Sequence, residues 1–432
     1  MRTESAGHSR NALGARRALL VALAPLLGAC AAVHRPAATV ASLERDAVAA
    51  RAVEEATTDS IVERLARRAV ARGDRTVDIL LLSGGGQNGA YGAGFLRGWK
   101  SRSHAPMPTF DLVTGVSTGA LQAPFVFLGT DAALDTLAAL YRRSAETIAP
   151  TIDWLFWLRR TGGLVKTDRL RRTIAQIMDS TMQGALQAGF REGRQLAIST
   201  TDFDLAVART WDLAQELSPG VSALPRLHQL LVTSSSLPGV LPSQVIDGRV
   251  HLDGGITGNL LPILTRPQVS RLAAAVRSLG VQEPLTVRLW VIMNLWTQAP
   301  VAVMNPASRR AINGRTLLLL FWAQHPLLLP RLAELADGVS AATDGVRMEM
   351  HFTAIPAAVA NDPAAFKLFD RDFMQRLEQM GYARARSATR GGRPPVAVRA
   401  SALRRGRARS PRPQRDAGGH PSRRSISSGR RG

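Results

Sequence analysis

The chain has 432 residues and one cysteine, Cys30. No intrachain disulfide can form, so packing, hydrogen bonds and charge must hold the fold. Nowhere does an apolar run approach, without a charge, the roughly 18 residues that a membrane-spanning helix needs. No internal repeat is visible, which excludes stacked-repeat architectures. Acidic residues are scarce, with 33 Asp and Glu against 55 Lys and Arg, a net charge of +22. That imbalance sits mostly at the ends. Residues 381–432 hold fifteen Arg and no Lys against one acid, Asp416, for +14, and residues 1–29 hold four Arg against one Glu, for +3. The +5 left for residues 30–380 is ordinary for a globular body. The basicity therefore describes the tail, and no nucleic-acid partner is expected. Apolar residues make up 45%, enough to build the core of one large domain.

At the N-terminus, Arg10, Arg16 and Arg17 precede the short apolar segment 18–29, the pattern of a secretory signal peptide over residues 1–29. Cys30 follows at once. The stretch Leu27-Gly28-Ala29-Cys30 resembles the bacterial lipobox, which implies lipidation of Cys30 and a lipoprotein held on a membrane surface by its acyl chains. Ala31 and Ala32 come next, not aspartate, which favours the outer membrane of the bacterial cell envelope. Residues 30–76 read as a helical spacer. Within them 41–72, rich in Ala, Glu and Arg, form one or two surface helices and a first packing element. Residues 381–432, dominated by Arg, Ser, Gly and Pro, are expected to be disordered.

Between these ends, residues 77–380 read as strand–turn–helix units. Strands are expected at 77–82, 110–116, 195–203, 249–255 and 284–294, with helices at about 88–101 and after residue 117. Such a series predicts an α/β fold, its mostly parallel sheet covered on both faces.

The first turn, within residues 77–95, spells G-x-G-x-x-G through Gly84, Gly86 and Gly89. A dinucleotide site would want an acidic residue closing the second strand. Asp111 opens that strand instead, and Ser117 closes it. The backbone N–H groups of Gly84, Gly85 and Gly86 would then form an oxyanion hole beside Ser117. Gly115, Ser117 and Gly119 make G-x-S-x-G between a strand and a helix, the setting that exposes a nucleophilic serine. Its base has several candidates. His251, His325 and His351 lie later in the chain, but the latter two have no turn chemistry to deliver them. Asp253, followed by Gly254 and Gly255 and preceded by the strand-like 249–252, stands at the sheet's ligand edge and could take the Ser117 proton.

Four ordered motifs, the triple-glycine turn, G-x-S-x-G, "SSSLPGVLP" at 234–242 and D-G-G, resemble the patatin-like phospholipase family over about residues 77–265, which implies a single catalytic domain to about 380. The resemblance implies a three-layer α/β fold and a Ser–Asp dyad without histidine, with Ser117 as nucleophile, Asp253 as base and Gly84–Gly86 as the oxyanion loop. It implies hydrolysis of phospholipid or lysophospholipid acyl esters with neither metal nor organic cofactor. Two places depart from the family. Asn88 stands where Arg or Lys is usual, and after D-G-G the Asn259 fits while Pro262 is displaced by one. Asn88 leaves open a second reading, a catalytically weak lipid-binding envelope lipoprotein. Leu237, Val240 and Leu241 are candidates for the acyl pocket. Trp154, Phe156 and Trp157 form either a lid or a packing cluster.

Overall fold

The computed structural model describes residues 35–154, 162–342, 345–367 and 369–387. The expected signal segment 1–29, Cys30, Phe156, Trp157 and the tail beyond Ser387 lie outside the described residues.

The strands are β1 (Thr76–Leu82), β2 (Leu112–Val116), β3 (Thr151–Ile152), β4 (Val165–Lys166), β5 (Gln195–Asp202), β6 (Val207–Asp212), β7 (Gln244–Ile246), β8 (Arg249–Asp253), β9 (Leu285–Met293) and β10 (Val346–Ala354). Five of them run parallel in the order β10–β9–β1–β2–β5. β8 and β7 continue the sheet antiparallel, and β6 pairs antiparallel with β5. β3 and β4 form a separate two-stranded ribbon.

Both faces of the sheet are covered, because the strands alternate apolar residues between two cores. Leu80 and Leu82 of β1 and Trp290 and Ile292 of β9 pack with the helices Gly89–Lys100, Thr118–Leu128 and Arg371–Arg386. Val77, Ile79 and Leu81, with Val287, Leu289 and Val291, face the helices Val40–Arg72, Arg266–Ser278 and His325–Ala342. The result is three layers, helix–sheet–helix, as the strand–helix alternation predicts. Each large apolar side chain buried in this way contributes about 1.5–3 kcal/mol.

Residues 40–72 form one continuous helix. Its second half buries Ile61, Val62, Leu65, Ala66 and Ala69 in the core. At the other end, the helix Arg371–Arg386 runs past residue 380, with Gly381 and Ala385 buried. It packs closely on Gly89–Lys100 because glycines face backbone there: a Cβ on Gly94 would lie 2.0 Å from the Glu378 carbonyl oxygen, and one on Gly381 2.1 Å from that of Tyr91. The folded body therefore extends at least to Arg386.

The N-terminal edge of the parallel strands holds a buried charge cluster. Asp78 and Asp111 are fully buried. Arg72 reaches Asp111 at 2.5 Å and Asp78 at 3.2 Å, Arg68 reaches Asp111 at 3.1 Å, and Arg288 reaches Asp78 at 2.6 Å. Trp290 Nε1 donates to Asp78 at 2.9 Å. Asp111 is thus a structural ion-pair partner at the end of the sheet opposite Ser117, which removes it as a ribose ligand and with it the dinucleotide reading.

Candidate active site

The sheet register explains how residues 117 and 253 meet. Along β5, β6 occupies one edge over Ala197–Asp202. The other edge is shared: β2 pairs there up to Val116↔Ser199, and β8 arrives antiparallel with Asp253↔Thr200. Ser117 follows Val116, so consecutive residues of β5 bring the two chain ends head to head. β8 is aimed there by a two-residue hairpin at Asp247-Gly248, both with positive φ (51° and 81°), between the paired Ile246 and Arg249. Asp-Gly is the sequence signal for such a turn.

Ser117 itself has φ 53° and ψ −123°. A non-glycine residue held there stores on the order of 1–3 kcal/mol of strain. The surroundings enforce it. A Cβ on Gly115 would lie 2.4 Å from the Gly119 carbonyl oxygen, and one on Gly119 2.4 Å from that of Leu82. The Ser117 N–H donates to Ser234 Oγ at 3.1 Å, and Ser234 Oγ donates to the Ser199 carbonyl at 2.6 Å. Ser235 Oγ donates to the Ser117 carbonyl at 3.3 Å. The serine-rich stretch 234–236 thus grips the strained turn.

Asp253 is 2% exposed. Its carboxylate is beside the Ser117 side chain, which favours the ionised form, and accepts from the Gly255 N–H at 2.8 Å. Its own N–H donates to Ser236 O at 3.0 Å, and Thr201 Oγ1 donates to its carbonyl at 2.9 Å. Burial pushes its carboxyl up to about 7, although the Ser117 side chain and the Gly255 N–H pull the other way. Gly254 lets this turn lie on β5: a Cβ there would be 2.6 Å from the Ser199 carbonyl oxygen.

The triple-glycine loop lies alongside. A Cβ on Gly84 would sit 3.0 Å from Ser117 Cβ and 2.5 Å from Asn259 Oδ1, and one on Gly85 would collide with the Asn294 carbonyl at 2.1 Å. Gly86 takes φ 56°. Among the described residues, the N–H groups of these three glycines donate to no backbone carbonyl. They are free to receive negative charge beside Ser117. Gly89 sits close under Tyr141 and Thr118, whose hydroxyls hydrogen-bond each other. Gln122 Nε2 donates to Gly89 O at 2.7 Å. Asn294 anchors the loop from below, its Nδ2 donating to Ser83 O at 2.9 Å.

Ser117, Asp253, Gly84–Gly86 and Asn88 open into a cavity of about 360 Å³. Its further walls include Leu121, Ile148, Leu170, Leu237, Val240 and Leu241. That lining suits a hydrocarbon chain. Leu237, Val240 and Leu241, the acyl-pocket candidates, are among these walls. Asn88 is buried, and among the described residues its Oδ1 has no hydrogen-bond partner. Trp154 is 81% exposed and does not belong to the core.

The three histidines do not supply a base to Ser117. His251 is held between Thr200 Oγ1 (3.1 Å) and Asp202 (3.7 Å), and burial pushes it down to about 4. His351 stacks on Trp290 at 4.1 Å between ring centres. His325 hydrogen-bonds Asn259 at 2.8 Å. Asn294, Gln122 and Gln324 are residues at the site that pattern reading missed, and His325 was weighed there only as a base. Only Asn294 had a signal, as a polar residue closing the apolar strand β9.

VipD from Legionella pneumophila has a similar solved structure, at 13% identity over 71% of this chain and 67% of that chain, with a TM-score of 0.29. No curated protein matches the chain. Residues 80–265 match the family model described as "Patatin-like phospholipase". Ser117, Asp253 and the triple-glycine loop all fall inside that stretch.

Proposed function

We propose that this chain is a serine-type lipid acyl hydrolase that cleaves fatty acyl esters of phospholipids or lysophospholipids with Ser117 as nucleophile and Asp253 as base. The observation that carries the reading is that Ser117 and Asp253 line one apolar cavity together with Gly84–Gly86, whose N–H groups donate to no backbone carbonyl among the described residues.

The steps follow from the chemistry of the groups. Asp253 takes the Ser117 hydroxyl proton as the oxygen attacks the ester carbonyl. The oxyanion so formed is held by the glycine N–H groups. The C–O bond of the ester breaks, and the departing alcohol takes the proton from Asp253. Water then gives a proton to Asp253 and attacks the acyl-serine. The fatty acid leaves and Ser117 recovers its proton. A carboxyl near 7 is matched to this shuttle at neutral pH. The chain is placed, in the same proposal, on the bacterial envelope through a lipid on Cys30, probed by membrane partition of a Cys30→Ser variant in the native host.

Asn88 favours one other reading, a weakly catalytic lipid-binding lipoprotein, because its uncharged carboxamide stands where the family usually has a cation. Hydrolysis of fluorogenic esters and phospholipids by wild type and by Ser117→Ala separates the two. Signal from wild type alone supports the hydrolase; equal signals from both remove it.

A further inference from the structure

Residues beyond the stretch matched by the family model reach back into the site. The turn Ala323-Gln324 joins the helices Arg309–Trp322 and His325–Ala342, and His325 opens the second. The side chains of Gln324 and His325 touch both loops on which the dyad depends. Gln324 Nε2 donates to Ile256 O at 2.8 Å and Gly255 O at 3.4 Å, the carbonyls that follow Asp253. Gln324 Oε1 accepts from the Asn259 N–H at 3.2 Å. His325 Nε2 lies 2.8 Å from Asn259 Nδ2. Both His325 and Asn259 are 1% exposed.

The far side of Asn259 is the telling one. Its Oδ1 lies where a Gly84 Cβ would come within 2.5 Å of it, so it presses on the face of Gly84 next to Ser117. That oxygen has no hydrogen-bond partner among the described residues, nor has His325 Nδ1. Leaving buried polar atoms unsatisfied costs about 1–3 kcal/mol each. A pair built only for stability would be expected to satisfy them. An asparagine held by one hydrogen bond at its amide nitrogen and wedged by its oxygen against a glycine fixes where that glycine sits. Trp322, which lines the cavity, packs edge-on to His325 with ring centres 6.3 Å apart and closes the assembly from the substrate side.

We infer that Gln324 and His325 are positioning residues: His325, through Asn259, sets the place of Gly84 in the oxyanion loop, and Gln324 holds the turn that presents Asp253. Neither touches substrate. The inference rests on the hydrolase reading and adds to it a part of the chain that lies outside the matched stretch.

The mechanism of action is orientational. An oxyanion hole works only if its donors are already aimed when charge develops, and displacement by about 1 Å can cost up to about 100-fold in rate. Substrate chain binding, by contrast, depends on the apolar walls. Loss of the brace should therefore fall on kcat and leave KM nearly alone.

The test uses full-length His325→Ala and His325→Gln, with Gln324→Ala as a second entry to the same junction, on a short-chain fluorogenic ester, with wild type measured in parallel. His325→Ala is expected to lose at least about 10-fold in kcat with KM within about 2-fold. His325→Gln, which can still engage Asn259 Nδ2, is expected to recover most of it. A wild-type kcat in His325→Ala would overturn the inference, as would a soluble His325→Gln as slow as the alanine variant. If His325→Ala does not fold, Gln324→Ala decides by the same kcat criterion. Absence of hydrolysis in the parallel wild type would instead sink the hydrolase reading itself, so the two failures are distinguishable.

Discussion

Ser117 and Asp253 make different demands, and their variants should show it. Ser117→Ala removes the nucleophile and Asp253→Asn removes the base. Each is expected to lower ester hydrolysis by about 1,000-fold or more while circular dichroism and solubility stay unchanged. Asp253 also couples activity and stability to pH in opposite senses. Its folded value, about 7, stands above the ordinary 3.8 because of burial. The fold therefore favours the protonated carboxyl. That stabilising contribution is complete below the unfolded value and is lost as pH rises through about 7. Catalysis needs the ionised form, so kcat/KM should climb through the same window. Urea midpoints of wild type and Asp253→Asn at pH 5 and pH 8 check the first statement: the wild-type midpoint should drop more between the two. The rate profile checks the second, and a flat profile from pH 5 to 8 would rule out Asp253 as the titrating base. The strained Ser117 could be anticipated from G-x-S-x-G. The raised carboxyl could not, because it depends on burial that only the assembled sheet creates.

At the scale of elements, the turn between β2 and its helix is where packing and function conflict. Alanine in place of glycine ordinarily favours a helix by up to about 1 kcal/mol. At Gly119, however, the added Cβ would lie 2.4 Å from the Leu82 carbonyl. Overpacking against backbone costs about 1–3 kcal/mol, and here it should win. Gly119→Ala is expected to destabilise by about 2 kcal/mol, read by chemical denaturation, and to slow hydrolysis through the displaced Ser117. At the opposite strand ends, Asp111→Asn breaks a buried pair with Arg68 and Arg72 and is expected to cost about 3–5 kcal/mol with the residual activity of folded protein unchanged. Strands β1, β2, β5, β8 and β9 were legible because each is an apolar run ending in turn residues. β10 was missed although Val346, Met348, Met350 and Phe352 alternate inward. β7 was missed although Asp247-Gly248 marks its hairpin. The omission of β7 hid how its hairpin aims β8 at β5, where the dyad meets.

For the whole molecule, the two ends of the described chain are parts of the body. The helix Val40–Arg72 supplies apolar cover and the cations for Asp111, neither of which composition alone distinguishes from a surface spacer. The helix Arg371–Arg386 ends in arginines that blend into the basic tail in sequence, but its Gly381 and Ala385 are buried. Two truncations separate body from tail. Ending the chain at 380 should lower the melting temperature by several degrees or prevent folding, because it removes the last turns packed on Gly89–Lys100. Ending it at 387 should leave melting temperature and activity unchanged. Identical melting temperatures for both would show that residues 381–386 contribute nothing to the body.

The most direct measurement is the rate of fatty acid release from a phospholipid or lysophospholipid by purified wild type, set beside Ser117→Ala and Asp253→Asn under the same conditions. Release by wild type, with both variants at background and equally folded, is the predicted result. Release that survives in either variant would contradict the dyad.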